Sequence, residues 1–139
     1  MNEQFSLGGF FHSPSGERNQ VPVLRNPTEE EVFAQLDLLY TNNGFLSLWK
    51  GVEDEPGECS LNVTCDSGKC YVECSEVTPK GDRIIHRIHA PEKQAKEVAL
   101  FGQYYNDQSL MDNVGSIREL YSYFLKTNGS IPSCFSVNN

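Results

Sequence analysis

No stretch of the chain approaches the roughly 18 consecutive apolar residues that a membrane span needs. The start, MNEQFSLGGFF, has no basic segment ahead of its apolar residues and carries Glu3, so an export signal is not expected either. Basic residues are scarce: 11 Lys and Arg stand against 19 Asp and Glu, a net charge of −8. Affinity for nucleic acid or for an anionic membrane comes mainly from Lys and Arg displacing counterions, so neither is expected as a partner. The five cysteines are odd in number and follow no export signal, which agrees better with free thiols in a reducing, cytoplasmic setting than with a disulfide framework. Two triplets that match glycosylation acceptors, at Asn62 and Asn128, carry no weight in that setting.

What is present suits a folded protein. A length of 139 residues fits a single domain, 1–139, with 38% hydrophobic residues to fill its core. The acidity is concentrated. Between Asn26 and Glu76 there are 11 carboxylates and only two cations, Lys50 and Lys69, while the rest of the chain is nearly neutral.

The clearest local signal is Asn26-Pro27-Thr28-Glu29-Glu30-Glu31. Thr28 is placed to cap a helix, Glu31 to complete the capping box, and the carboxylates suit the positive end of the helix dipole. The helix is expected to run to about Tyr40, burying Val32, Phe33, Leu36, Leu39 and Tyr40, and to stop at Asn42-Asn43-Gly44. The apolar period then changes to two: 45–50, 59–65, 70–77 and 83–89 read as strands separated by turns, an antiparallel meander. Phe5–Phe11 reads as an opening strand weakened by Gly8-Gly9, His12–Gln20 as a loop, and Val21–Leu24 as a short extended piece limited by Pro22. Pro91–Lys96 reads as a short helical turn and Val98–Tyr105 as one further strand with Gly102 as a bulge. Val114–Lys126 is a second helix that Gly129 is placed to stop. The expected class is α+β: an antiparallel meander sheet of about five to six strands with two main helices, about 28–40 and 114–126, packed on it.

Cys59, Cys65, Cys70 and Cys74 lack the C-x2-C spacing that places two thiolates on one zinc ion. Strand parity explains them better. Cys59, Leu61, Val63 and Cys65 share one face of their strand, and Cys70, Val72 and Cys74 share one face of the next. If Asp66-Ser67-Gly68-Lys69 closes the hairpin, Cys65 lies opposite Cys70 and all four thiols enter the core, with a Cys65–Cys70 disulfide or a metal ion as the alternatives. His86 and His89 point to opposite faces of a strand, no G-x-S-x-G elbow is present, and Leu7-Gly8-Gly9-Phe10 lacks the length and lysine of a phosphate loop. No catalytic residue, metal site or cofactor is therefore expected. Paired carboxylates raise a hydrolase, but Glu53, Asp54, Glu55 and Glu58 fall in a Pro/Gly turn and Glu29–Glu31 at a helix start, where solvation keeps carboxylates ordinary.

The order of elements, from the helix opened by Asn26-Pro27-Thr28 through Leu46-Ser47-Leu48-Trp49 and Leu100-Phe101-Gly102-Gln103-Tyr104-Tyr105 to the last helix ending in Phe124-Leu125-Lys126-Thr127-Asn128-Gly129, resembles bacterial immunity proteins of polymorphic-toxin and contact-dependent growth inhibition systems. The resemblance spans about residues 26–129. It implies a cytoplasmic protein that binds and neutralises a cognate toxin domain, a basic nuclease being the natural target of a carboxylate-rich face. The expected contact region is Trp49 with Glu53, Asp54, Glu55 and Glu58, and secondary contacts are Asp66, Glu29, Glu30 and Glu31. Two other classes remain open: a small hydrolase using carboxylates or a dispersed Cys/His pair, and a scaffold module that forms a homo-oligomer through an exposed sheet edge.

Overall fold

A computed structural model describes residues 5–51, 59–90, 92–132 and 135–137. In chain order the elements are β1 (Phe5–His12), β2 (Arg18–Arg25), α1 (Glu29–Asn42), β3 (Gly44–Lys50), β4 (Cys59–Asp66), β5 (Lys69–Val77), β6 (Arg83–Ile88), β7 (Glu97–Leu100), β8 (Gln103–Asn106), a single 3-10 turn at Asp107–Ser109, β9 (Leu110–Met111), α2 (Val114–Lys126) and β10 (Phe135–Val137). The class is α+β, as the alternation of periods predicts.

One antiparallel sheet runs β10-β6-β5-β4-β3-β1-β2, with β9 also paired to β5. The meander β3-β4-β5-β6 follows sequence order because each connection is a local hairpin. The tightest is Ser67-Gly68, where both residues take positive φ and Asp66 pairs with Lys69. Strand β1 breaks that order by lying between β2 and β3, so α1 carries the chain across it. Gly9 permits the close approach of β1 to β3: a Cβ there would fall 2.0 Å from the Phe45 carbonyl oxygen.

Strand β2 is longer than the short extended piece the sequence suggests. It tolerates Pro22 because β2 is the sheet's edge and the register with β1 shifts between Leu7 and Gly9, where Pro22 sits. The segment 98–105 is two strands rather than one. Phe101 and Gly102, both at positive φ, form the turn of a separate β7–β8 hairpin. Where a short helical turn is expected at 91–96, the Lys93 N–H bonds the Ala90 carbonyl at 3.0 Å in a single turn, and no helix follows among the described residues 92–96.

Both helices cover one side of the sheet. Thr28 caps α1 in a full capping box: its hydroxyl accepts from the Glu31 N–H at 3.1 Å, and the Glu31 carboxylate accepts from the Thr28 N–H at 2.9 Å. From α1, Val32, Leu36 and Leu39 pack into a common core with Ile117, Leu120, Tyr121 and Phe124 of α2 and with the inward residues of β1, β3, β4 and β5. Tyr121 is fully buried, and its hydroxyl donates to the carbonyls of Leu46 (3.0 Å) and Leu61 (3.2 Å), tying α2 to the centre of the sheet. α2 ends where Asn128 and Gly129 adopt positive φ and the Gly129 N–H bonds the Phe124 carbonyl.

Candidate functional site

The four thiols are where parity puts them. Cys65 and Cys70 are cross-strand partners, and Cys59, Cys65, Cys70 and Cys74 are reduced thiols buried on the helix side of the sheet. The hydrogen bond with the neighbouring Cys70 thiol, and then burial, push Cys65 far above the ordinary thiol range, so it is a poor nucleophile. His86 is buried on that same side, with Nε2 3.0 Å from Glu76 Oε1, whereas His89 lies just past β6 and is exposed. Among the described residues, no three His, Cys, Asp or Glu side chains converge to hold a metal ion.

The opposite side of the sheet carries no helix among the described residues and is the open side, although Ser6, Ser47, Trp49, Ser60, Tyr71 and Ser75 on it are buried. Its residues are the outward members of each strand, aligned by register in rows: Phe10, Phe45, Thr64 and Tyr71 in one, Gly8, Ser47, Asn62 and Glu73 in the next, and Ser6, Trp49, Ser60 and Ser75 in a third. Hydroxyls and an amide form a chain across them. Ser47 donates to Asn62 Oδ1, the Asn62 amide donates to Ser60 at 3.1 Å, Ser60 and Ser75 share a bond of 2.7 Å, and Arg83 donates to Ser75 at 3.0 Å. Buried hydroxyls on a sheet must be paired in this way, and here their partners are one another.

Over these rows lies a recess of about 440 Å³, floored by Gly8, Phe45, Ser47 and Trp49 and closed at its ends by Arg18 and Glu73. Trp49 lies almost wholly within the sheet surface, packed against Gly8, where a Cβ would come 3.2 Å from its ring. Phe10 stacks on Phe45 with centroids 6.1 Å apart, and the Arg18 guanidinium carbon sits 3.9 Å from the Phe10 centroid. An aromatic path continues outward through His12 to Phe101 at the tip of the β7–β8 hairpin, with centroids 5.3 Å apart.

That hairpin covers the far end of the open side. Leu100 and Leu110 bury Tyr71 in a small second core with Val98 and Tyr105, and Asp66 accepts the Phe101 N–H at 3.0 Å. Asp107, buried at the hairpin's exit, lies 3.3 Å from Lys69 and 3.8 Å from Lys93. Tyr71 donates to Glu73 Oε2 at 3.2 Å. Burial first, and then the Glu73 charge, raise the ionisation of both Tyr71 and Tyr105 above the ordinary tyrosine range.

The residues singled out in the sequence do not all meet. Trp49 lies on the open side and lines the recess. Asp66 is at the other end of β4, tied to the hairpin tip. Glu29, Glu30 and Glu31 open α1 in the helix layer, where Glu29 bonds Ser122 and Lys126 of α2, and these contacts hold its carboxyl below the usual range. Glu53, Asp54, Glu55 and Glu58 lie outside the described residues; the flanking Gly51 and Cys59 sit at the Trp49 end of β3 and β4. The recess residues Phe10, Arg18, Phe45, Ser47, Asn62 and Glu73 escape a reading by motif. Alternation alone places Phe45, Ser47 and Trp49 on one face of their strand, but only the pairing of β1 with β3 brings Phe10 and Arg18 beside them.

Residues 4–134 match a family described as a family of unknown function, DUF6911. A crystal structure of a hypothetical protein from Neisseria gonorrhoeae has a similar fold, with a TM-score of 0.73 and 22% identity, covering 93% of this chain and 91% of that one. No curated protein matches the chain. Among the described residues no helix is long and apolar enough to cross a membrane.

Proposed function

For a chain that belongs to the DUF6911 family, we propose a binding role: it recognises a basic protein domain through the open side of the sheet, in the manner of an immunity protein that neutralises a cognate toxin domain. The observation that carries this reading is the aromatic-floored recess on that side, with Phe45 and Trp49 in its floor. Tight protein interfaces centre on aromatic anchors ringed by polar groups. The second support is charge. At −8 overall the chain attracts a cationic partner at long range, and the acidic segment containing Glu53, Asp54, Glu55 and Glu58 joins β3 to β4 beside Trp49. Carboxylates of such a segment can take the places that phosphates hold in a basic nuclease groove.

Co-expression with the C-terminal domain encoded by the neighbouring gene tests the reading. A stable complex that protects against that domain's toxicity is expected. Reversing the four charges to Lys is expected to weaken the complex by at least about tenfold at low salt and to flatten its salt dependence, while circular dichroism stays unchanged. Protection that survives the reversal, or a neighbouring product that neither binds nor harms cells, overturns the proposal.

A further inference from the structure

We infer that the recess on the open side of the sheet is a guanidinium site, and that it seats an arginine side chain of the partner with its planar head between the Phe45 ring and the Glu73 carboxylate. This inference rests on the reading of a basic protein partner and names the group that partner presents. Three features of the recess favour guanidinium over other chemistry.

The first is that the sheet face already binds this group twice within the chain. Arg18 lies 3.9 Å from the Phe10 centroid at the β2 end, and Arg87 lies 5.8 Å from the Tyr71 centroid toward β6. Phe45, stacked beside Phe10 in the centre of the face, carries no guanidinium among the described residues. A planar, weakly hydrated cation is the group that aromatic faces take up best.

The second is the acceptor set. Glu73 lines the recess and uses Oε2 for the Tyr71 hydroxyl, and among the described residues nothing bonds its Oε1. Asn62 Oδ1 accepts from Ser47 on one lone pair and keeps the second. Glu73 and Asn62 are direct cross-strand partners and point to the same side, so their oxygens form a forked acceptor of the kind a guanidinium meets with two N–H groups.

The third is spacing. Arg18 on β2 and Glu73 on β5 are four strand steps apart, roughly 19 Å of sheet width, so Arg18 closes one end of the recess without reaching the carboxylate at the other, and Arg87, the cross-strand partner of Glu73, stands on β6 outside the residues that line the recess. A bound arginine would lay its methylenes along the half-buried Phe45 ring, since Trp49 and Val23 already fill the space over Gly8.

Titration of the full chain with N-acetyl-arginine methylamide and with its lysine counterpart, followed by nitrogen–proton correlation spectra at low salt, tests the site. The arginine probe is expected to move the signals of Phe45, Ser47, Asn62, Glu73 and the Trp49 indole with millimolar affinity, and the lysine probe to bind several-fold more weakly. Glu73→Gln is expected to weaken the arginine probe about tenfold, the loss of one charge-assisted bond, and Phe45→Leu to weaken it while preserving the dispersed spectrum of the fold. Equal binding of both probes, shifts confined to the helix side, or an unchanged affinity in both variants overturns the inference. Complex formation with the neighbouring toxin domain separates the two proposals: a complex indifferent to Glu73→Gln removes the arginine site and leaves the binding role, whereas arginine binding without any such complex removes the role and leaves the site.

Discussion

Single side chains in this protein do their largest work where burial makes a polar group costly. Tyr121 is the clearest case: fully buried, it satisfies two sheet carbonyls from the helix layer. Tyr121→Phe keeps the ring and removes both bonds, so a loss on the order of 1–3 kcal/mol is expected in urea unfolding. Tyr121 and Tyr71 are also both raised in ionisation, chiefly by burial. A folded-state value above the unfolded one means stability that is complete below the ordinary tyrosine value of 10.0 and is lost as pH rises beyond it, because the unfolded chain releases those protons first. Denaturant midpoints measured above pH 10 are therefore expected to fall, and Tyr71→Phe to make that fall shallower. The sequence identifies Tyr121 as an inward helix residue through its spacing from Ile117 and Phe124. It does not reveal the hydroxyl's partners, which lie on β3 and β4, 75 and 60 residues away along the chain. The buried thiols were legible, since parity and a two-residue turn settle where they point. Cys59, Cys65, Cys70 and Cys74 are expected to resist an aromatic disulfide reagent in the native protein and to react in urea.

At the level of elements, local chemistry explains what forms and where it stops. The capping box at Thr28 starts α1 within a residue of where the sequence places it, and Thr28→Ala is expected to cost about 1 kcal/mol, read as a shift in the urea midpoint. The bounds of α2 coincide with the apolar spacing because Asn113 caps its first turn and Gly129 closes its last. The misread elements have equally specific causes. Phe101 occupies a left-handed turn position that normally takes Gly or Asn, so Gly102 beside it reads as a bulge rather than as half of a two-residue turn; the structure holds the turn through Asp66 and the His12 ring. Strand β2 is polar and contains Pro22, which disqualifies a central strand but suits an edge. The β7–β8 hairpin packs through a small core and the Asp107 ion pairs, which makes it the least anchored element of the open side. Asp107→Asn is expected to speed hydrogen exchange across residues 97–111 while leaving protection in β3–β5 unchanged; uniform acceleration would instead mean that Asp107 supports the whole fold.

For the whole molecule, the sheet acts as a divider. One side is sealed by two helices over the buried thiols; the other holds aromatic, hydroxyl and amide groups around a recess. Acidic residues that are neighbours in the sequence are parted by this divider, with Glu29–Glu31 on the helix layer and Trp49 opposite, so concentration along the chain did not become a single patch among the described residues. The amino-acid sequence by itself determined the α+β class, the two helices with their caps, the hairpins of the meander and the inward set of each strand, because those features arise from periodicity and turn chemistry acting over a few residues. Only the tertiary structure decided that β1 enters between β2 and β3, that β10 closes the other edge, and that Phe10, Arg18, Phe45 and Glu73 share one recess. Strand pairing is chosen by the burial of a common face over long sequence separations, and no local pattern encodes which distant strand supplies the neighbour.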